Sequence, residues 1–153
     1  MPKHKKKKKK LTSIPVIHRR LFRLASITCR ENANFTCEMC GIKKGDIYKG
    51  KPQRVQAHHV MSRSNVNSPL KWDTRNLSCL CTKCHKGGKR SAHKHALWFA
   101  QEFTKKRPED AQWILDHTDD MVNIKNREIL EFIEYRLRRN LPLDFKDSEY
   151  ISE

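Results

Sequence analysis

The 153 residues suffice for one small core with an appendage, and with 37% of them hydrophobic against 33% charged that core is thin. No apolar run reaches the length of a bilayer span, and the opening lysines lack the apolar stretch a signal peptide needs, so a soluble, cytoplasmic protein with no membrane contact is expected. The formal net charge is +16, of which Lys3 and Lys5 to Lys10 supply seven charges, and the +9 left on the remainder points to a polyanionic partner such as nucleic acid.

In chain order, residues 1–11 are a low-complexity basic tail whose like charges repel, so no fixed structure is assigned. It would contact phosphates, or serve as a localisation signal in a nucleated cell. Ser13 to Arg30 has helical spacing, with Val16 or Ile17, then Leu21, Leu24, Ala25 and Thr28 inward. Arg19, Arg20, Arg23 and Arg30 would then face solvent or phosphate.

From Phe35 the pattern changes to a Cys-x-x-Cys knuckle, Cys37 and Cys40, followed by a hairpin. Gly41 stands where a tight turn needs positive φ, and KKGD and KGKP carry turn residues. Val55, Ala57 and Val60 outline a short strand. On it His58 and His59 point to opposite faces, and both can serve one site only if the strand ends there and the chain curls round.

A second Cys-x-x-Cys, Cys81 and Cys84, follows about forty residues later with His85 directly beside it. Two knuckles at that separation suit a tetrahedral zinc ion, and reading four of six cysteines as ligands argues for a reducing compartment over disulfides. Cys29 reads as a small buried hydrophobe. Cys79, two residues before Cys81, could compete as a ligand but lies outside the spacing.

The rest is helical. Ala96, Phe99, Ala100 and Phe103, widened by Leu97 and Trp98, form one apolar face. Pro108, Glu109 and Asp110 open a second helix that would carry Ala111, Ile114 and Leu115 inward. A third, from about Ile124 to Arg139, aligns Ile129, Leu130, Ile133 and Leu137 and is ended by Asn140 and Pro142. The expected division is a disordered tail at 1–11, a core with its N-terminal helix at 12–105, a helical extension at 106–142 and an acidic flexible tail at 143–153.

Taken together, Cys37-Glu38-Met39-Cys40, His58-His59, Ser62-Arg63-Ser64, Trp72-Asp73-Thr74-Arg75-Asn76 and Cys81-Thr82-Lys83-Cys84-His85 resemble an HNH endonuclease of the ββα-metal superfamily. The likeness is to the branch with a four-cysteine zinc that is frequent in bacteriophage genomes. It implies an α+β fold, a small ββα-metal core with an N-terminal helix and a C-terminal helical arm. It also implies roles. His58 resembles a ligand of a catalytic ion, His59 the general base, Asn76 the residue that ties down and orients the base's loop, and His85 the ligand on the helix after the second knuckle.

His93, before a helix with aromatic residues, is the third ligand of choice, although the KGGKR run lengthens its spacing and leaves His95 a rival. Relatives often carry Asp where His58 stands. The imidazole-rich set suits Zn2+, Ni2+ or Mn2+ better than Mg2+, and the ion stays open beside the structural Zn2+. Arg63, Lys83, Lys86, Lys89 and Arg90 would position the DNA backbone. The implied activity is metal-dependent hydrolysis of DNA phosphodiester bonds, in the bacterial host cytoplasm if phage-encoded. The alternative is a zinc-containing DNA-binding protein that does not cut. Monomer, dimer, and a phage or host protein partner are all left open.

Overall fold

A computed structural model describes residues 11–62 and 68–145. The architecture is α+β, with two small antiparallel strand pairs set among helices. Among the described residues no helix is long and apolar enough to cross a membrane.

Helix α1, Ile14–Asn32, begins with Pro15 in its first turn, where the missing amide costs nothing. It buries Ile17, Leu21, Ala25, Thr28 and Cys29 at three- and four-residue steps, while Val16 stays exposed. Strands β1, Ile47–Tyr48, and β2, Lys51–Pro52, form a short hairpin. The hairpin runs on into β3, Val55–His59, which pairs antiparallel with β4, Leu77–Cys81. Val55 lies opposite Cys81 at one end and His59 opposite Leu77 at the other. All five residues of β4 are buried, because α1 covers this pair.

Past β4 the chain makes a single π-helical turn, Lys83–Gly87, and no longer helix follows until α2, Ala96–Lys106. The expected ligand-bearing helix after the second knuckle is therefore one turn. Helix α3 spans Pro108–Asp116 and α4 spans Arg127–Arg138, its first amides capped by the Asn126 side chain. Helix α4 lies along α1, burying Ile129, Leu130, Ile133 and Leu137. Full burial of such side chains contributes about 1.5–3 kcal/mol each. The α1–α4 seam is fastened by Arg20 on Glu134 at 2.6 Å and by His18 Nε2 donating to the Ile124 carbonyl at 2.8 Å.

The inward assignments of Ala96, Leu97, Ala100 and Leu115 fail. Leu97 is 74% exposed and Leu115 67% exposed. Helix α2 meets the core through Phe99 and Phe103 with the half-buried Trp98, and α3 through Ile114 with Ala111 and Trp113, so Leu97 and Leu115 face water, as do Ala96 and Ala100.

Arg107, between α2 and α3, ties this arm to the sheet. It donates to the carbonyls of Leu77 (2.6 Å), Thr74 (3.2 Å) and Arg75 (3.3 Å), to Glu38 at 3.2 Å and to Asp110 at 2.6 Å. Its five N–H groups suit the task.

Candidate metal sites and catalytic groove

Two groups of metal-ligating side chains converge among the described residues, Cys37–Cys40–Cys81–Cys84 and His58–His85–His93.

The cysteines are assembled by backbone. The first knuckle closes when Gly41, at φ 76°, donates to the Cys37 carbonyl at 2.8 Å. Glu38 then clamps the knuckle to β4: its amide donates to the Cys79 carbonyl at 2.9 Å, and its carboxylate accepts from the Ser78 hydroxyl at 2.8 Å and from the Cys79 amide. Cys81 ends β4 and Cys84 lies on the π turn, so the second pair meets the first from the strand end.

The four sulfurs lie within 4.8 Å of one another, with Cys40 and Cys81 Sγ 3.6 Å apart. A tetrahedral ion with bonds of about 2.3 Å to sulfur needs edges of about 3.8 Å, so the cluster fits one. Cys79 falls outside it, because two residues back along a strand is about 7 Å.

Within the cluster the protons are shared unevenly. Cys37 is pulled down to about 4, chiefly by the Cys84 thiol donating to it, and Cys84 is correspondingly pushed up. Burial pushes Cys81 up to about 11. Cys29 and Cys79 are pushed up to about 12 by burial and by the Glu38 charge, so both stay thiols.

The histidines come from three elements: His58 from β3, His85 from the π turn and His93 from the loop before α2. Their rings lie 4.8 to 5.1 Å apart between centroids, and Nε2 of His85 and Nε2 of His93 are 3.1 Å apart. Tetrahedral edges for bonds of about 2.0–2.1 Å to nitrogen are about 3.3–3.4 Å, so this set also fits an ion. Gln56 fixes one tautomer: His85 Nδ1 donates to its side-chain oxygen at 2.9 Å, leaving the Nε2 lone pair toward the cluster. Phe99 backs the His58 ring edge-on at 4.9 Å.

The π turn and loop are strapped together by Ala92 donating to the Cys84 carbonyl at 2.8 Å and His93 to the His85 carbonyl at 3.2 Å. The KGGKR run makes this return possible. A Cβ at Gly88 would stand 2.9 Å from the Lys83 carbonyl oxygen, so only glycine fits where the chain doubles back. His95, exposed at the start of α2, is not part of the cluster.

His58 and His85 are both held down to about 4, first by burial and then by the charge of neighbouring imidazoles and Lys86. At neutral pH they are uncharged donors.

Strand β3 ends at His59 and the chain bends at Val60, so His58 and His59 line one groove. That groove, a cavity of about 670 Å³, runs between α1 and the site and includes His85, His93, Lys71 and Lys86. His59 Nε2 donates to the Lys71 carbonyl at 2.9 Å, which leaves the lone pair on Nδ1. Phe22 of α1 meets the His59 ring edge-on at 6.2 Å.

Asn76 is fully buried. Its side chain accepts from the Met61 amide at 2.8 Å and donates to the carbonyls of Met61 (3.2 Å) and Leu70 (3.1 Å). One amide thus fastens the bend after His59 to the turn whose next carbonyl, that of Lys71, holds the ring.

Lys83, Lys86, Lys89 and Arg90 are exposed on or beside the π turn, and Lys86 lines the groove. Arg63, with Ser64, lies outside the described residues. Sequence reasoning missed Gln56, Phe22 and the Lys71 carbonyl. Of these only Gln56 left a signal, as the residue two before His58 on the same strand face.

Residues 37–90 match the family model described as HNH endonuclease, 54 of the 153 residues. The match leaves out His93 and the α1 wall of the groove. No match was found among curated proteins or among solved structures.

Proposed function

We propose, from the match of residues 37–90 to the HNH endonuclease family model, that this chain hydrolyses DNA phosphodiester bonds, with His59 as general base and His58, His85 and His93 holding a divalent ion. One observation carries the proposal: three imidazole donors and a fourth, separately oriented imidazole open onto the same groove. The four cysteines hold a structural Zn2+ that keeps β4 and the π turn in place. The histidine set, all nitrogen, favours Zn2+, Ni2+ or Mn2+ over Mg2+. When bound there, the ion supplies Lewis-acid stabilisation of charge building on the scissile phosphate.

The chain's own residues do the rest. His59 Nδ1 takes a proton from the attacking water, a contribution of about 10² to 10⁴ in rate. The Lys71 carbonyl keeps that ring in one tautomer and is well placed for the imidazolium formed during transfer. Asn76 prevents the bend and the carbonyl from drifting apart, and misplacement of about 1 Å in such a frame is costly. Lys86, with Arg23 on the α1 wall, binds phosphates without reading bases. On this reading 12–105 forms the nuclease unit and 106–142 an arm that braces it.

Supercoiled plasmid incubated with Mn2+, Mg2+, Ni2+ or Zn2+ in turn provides the test, beside His59→Ala. The wild type is expected to nick or linearise the plasmid, and the variant to bind it while cutting about 10²- to 10⁴-fold more slowly. Binding by both with cutting by neither, under every ion, would establish the non-cutting zinc DNA-binding protein instead.

A further inference from the structure

The β1–β2 hairpin stands apart from the groove and outside the mechanism. Residues 43–54 carry Lys43, Lys44, Lys49, Lys51 and Arg54 against one carboxylate, Asp46, a net +4 in twelve residues. All five cations are exposed. Asp46 is engaged locally, accepting from the Lys43 amide at 2.8 Å, so it caps the hairpin's base and does not offset the tip.

The tip also exposes two large apolar side chains, Ile47 at 70% and Tyr48 at 41%. Exposed apolar residues ringed by lysines on a two-stranded ribbon cost solubility without adding to the core. The turn has a regular hairpin geometry in spite of its exposure. Lys49 at φ 50° and Gly50 at φ 72° give the left-handed pair that a two-residue hairpin loop requires, and backbone bonds join Gly45 to Gln53 (2.9 Å) and Gln53 to Asp46 (2.8 Å).

Against the base of this hairpin lies a hollow of about 460 Å³, lined by Arg30, Lys44 and Arg54 together with uncharged residues that include Pro52, Val55 and Gln56. Gln56 is the residue that holds His85. Basic side chains therefore extend from the hairpin tip to Arg54, and the uncharged Gln56 links that end to His85. From Lys51 to His58 the chain advances seven residues, at most about 23 Å in extended form, less than one turn of B-DNA.

We propose that the β1–β2 hairpin is a duplex-docking element, its lysines on phosphates and its Ile47–Tyr48 tip seated in the major groove. That groove is about 12 Å wide and admits a two-stranded ribbon. The assignment rests on the reading that DNA is the substrate. It gives the family-matched segment a grip on substrate away from the cut.

Fluorescence anisotropy of the full-length, zinc-loaded protein with a labelled 30-base-pair duplex, across 50–200 mM KCl, provides the test. Lys49→Ala/Lys51→Ala is expected to reduce the slope of log affinity against log salt by about 2 and to raise Kd about fivefold or more at 100 mM. Tyr48→Ala should weaken binding several-fold at an unchanged slope, since it removes no phosphate contact. All three side chains are exposed, and an unchanged thermal melt verifies that each variant is folded. Wild-type affinity and slope in both variants would overturn the docking assignment alone, and would hand the hairpin to a protein partner or to solvent. Failure of the wild type to bind the duplex would overturn this assignment together with the DNA reading beneath it.

Discussion

The cysteine cluster and the histidine cluster share the π turn, and Cys84 and His85 are neighbours in sequence, yet the two are built differently. Four sulfurs, three of them on buried residues, close a tetrahedron whose parts are fixed by backbone bonds around Glu38 and Gly41. Three imidazoles supply one donor fewer, and they face a groove that also holds His59 and Lys86. A full set of protein ligands suits an ion that only holds structure, while a set of three leaves a position for water or substrate. What separates the clusters is donor count and access, more than depth or ligand chemistry.

The sharpest way to break that contrast is to remove one ligand from each side. Cys37→Ser or Cys84→Ser should abolish the cooperative thermal transition, because structural zinc contributes about 10–16 kcal/mol to small domains and a domain's whole stability is about 5–15 kcal/mol. His58→Ala and His85→Ala should keep the transition and lose plasmid cleavage. If the cysteine variants melt like the wild type, the division of labour is wrong.

A smaller effect tests how the open site is oriented. Gln56→Ala removes the partner of His85 Nδ1 and should weaken the second equivalent of metal about 10- to 100-fold in a chelator competition, with the first equivalent unchanged. Equal weakening of both would mean that the two sites are not separable.

The smallest concerns pH. With His58 and His85 held down to about 4 by burial, the folded chain resists protons that the unfolded chain accepts at about 6.5. Stability without an ion at the histidines is thus full above that value and is lost as pH falls from about 6.5 toward 4. Melts of protein carrying only the structural zinc should drop by a few degrees more between pH 7 and pH 5 in the wild type than in His58→Gln. Parallel curves would remove the burial argument.

Much of the frame was legible because its signals are local. A Cys-x-x-Cys knuckle is written in four residues, and the stripes of α1 and α4 repeat at helical steps that their burial matches. The α+β class and the likeness to the HNH family model over residues 37–90 followed from motifs at set spacings. The rest depends on groups that leave no mark in a sequence. The carbonyl that holds His59 belongs to a lysine whose side chain gives no hint of it, and Arg107 reaches its carbonyl partners from about thirty residues away. Leu97 and Leu115 were misjudged because an apolar face in a helix states what could be covered, and the neighbouring elements decide how much is. Gly88 worked the other way, as an apparent interruption that is the condition for His93 to arrive.

The adjacency of Cys84 and His85 sets a rule of length on the chain around it. Thr82 and Lys83 are exposed, so packing places little constraint on their side chains. Their number is constrained. Deleting one residue between Cys81 and Cys84 would turn the imidazole of His85 to the bearing of the sulfurs and the Cys84 thiol out to solvent, while adding one would turn that thiol to the bearing of His85 and carry the imidazole past the cluster. In this run a gap is a graver change than any substitution at the same two positions, and sequence drift there should be spelled in letters, never in length.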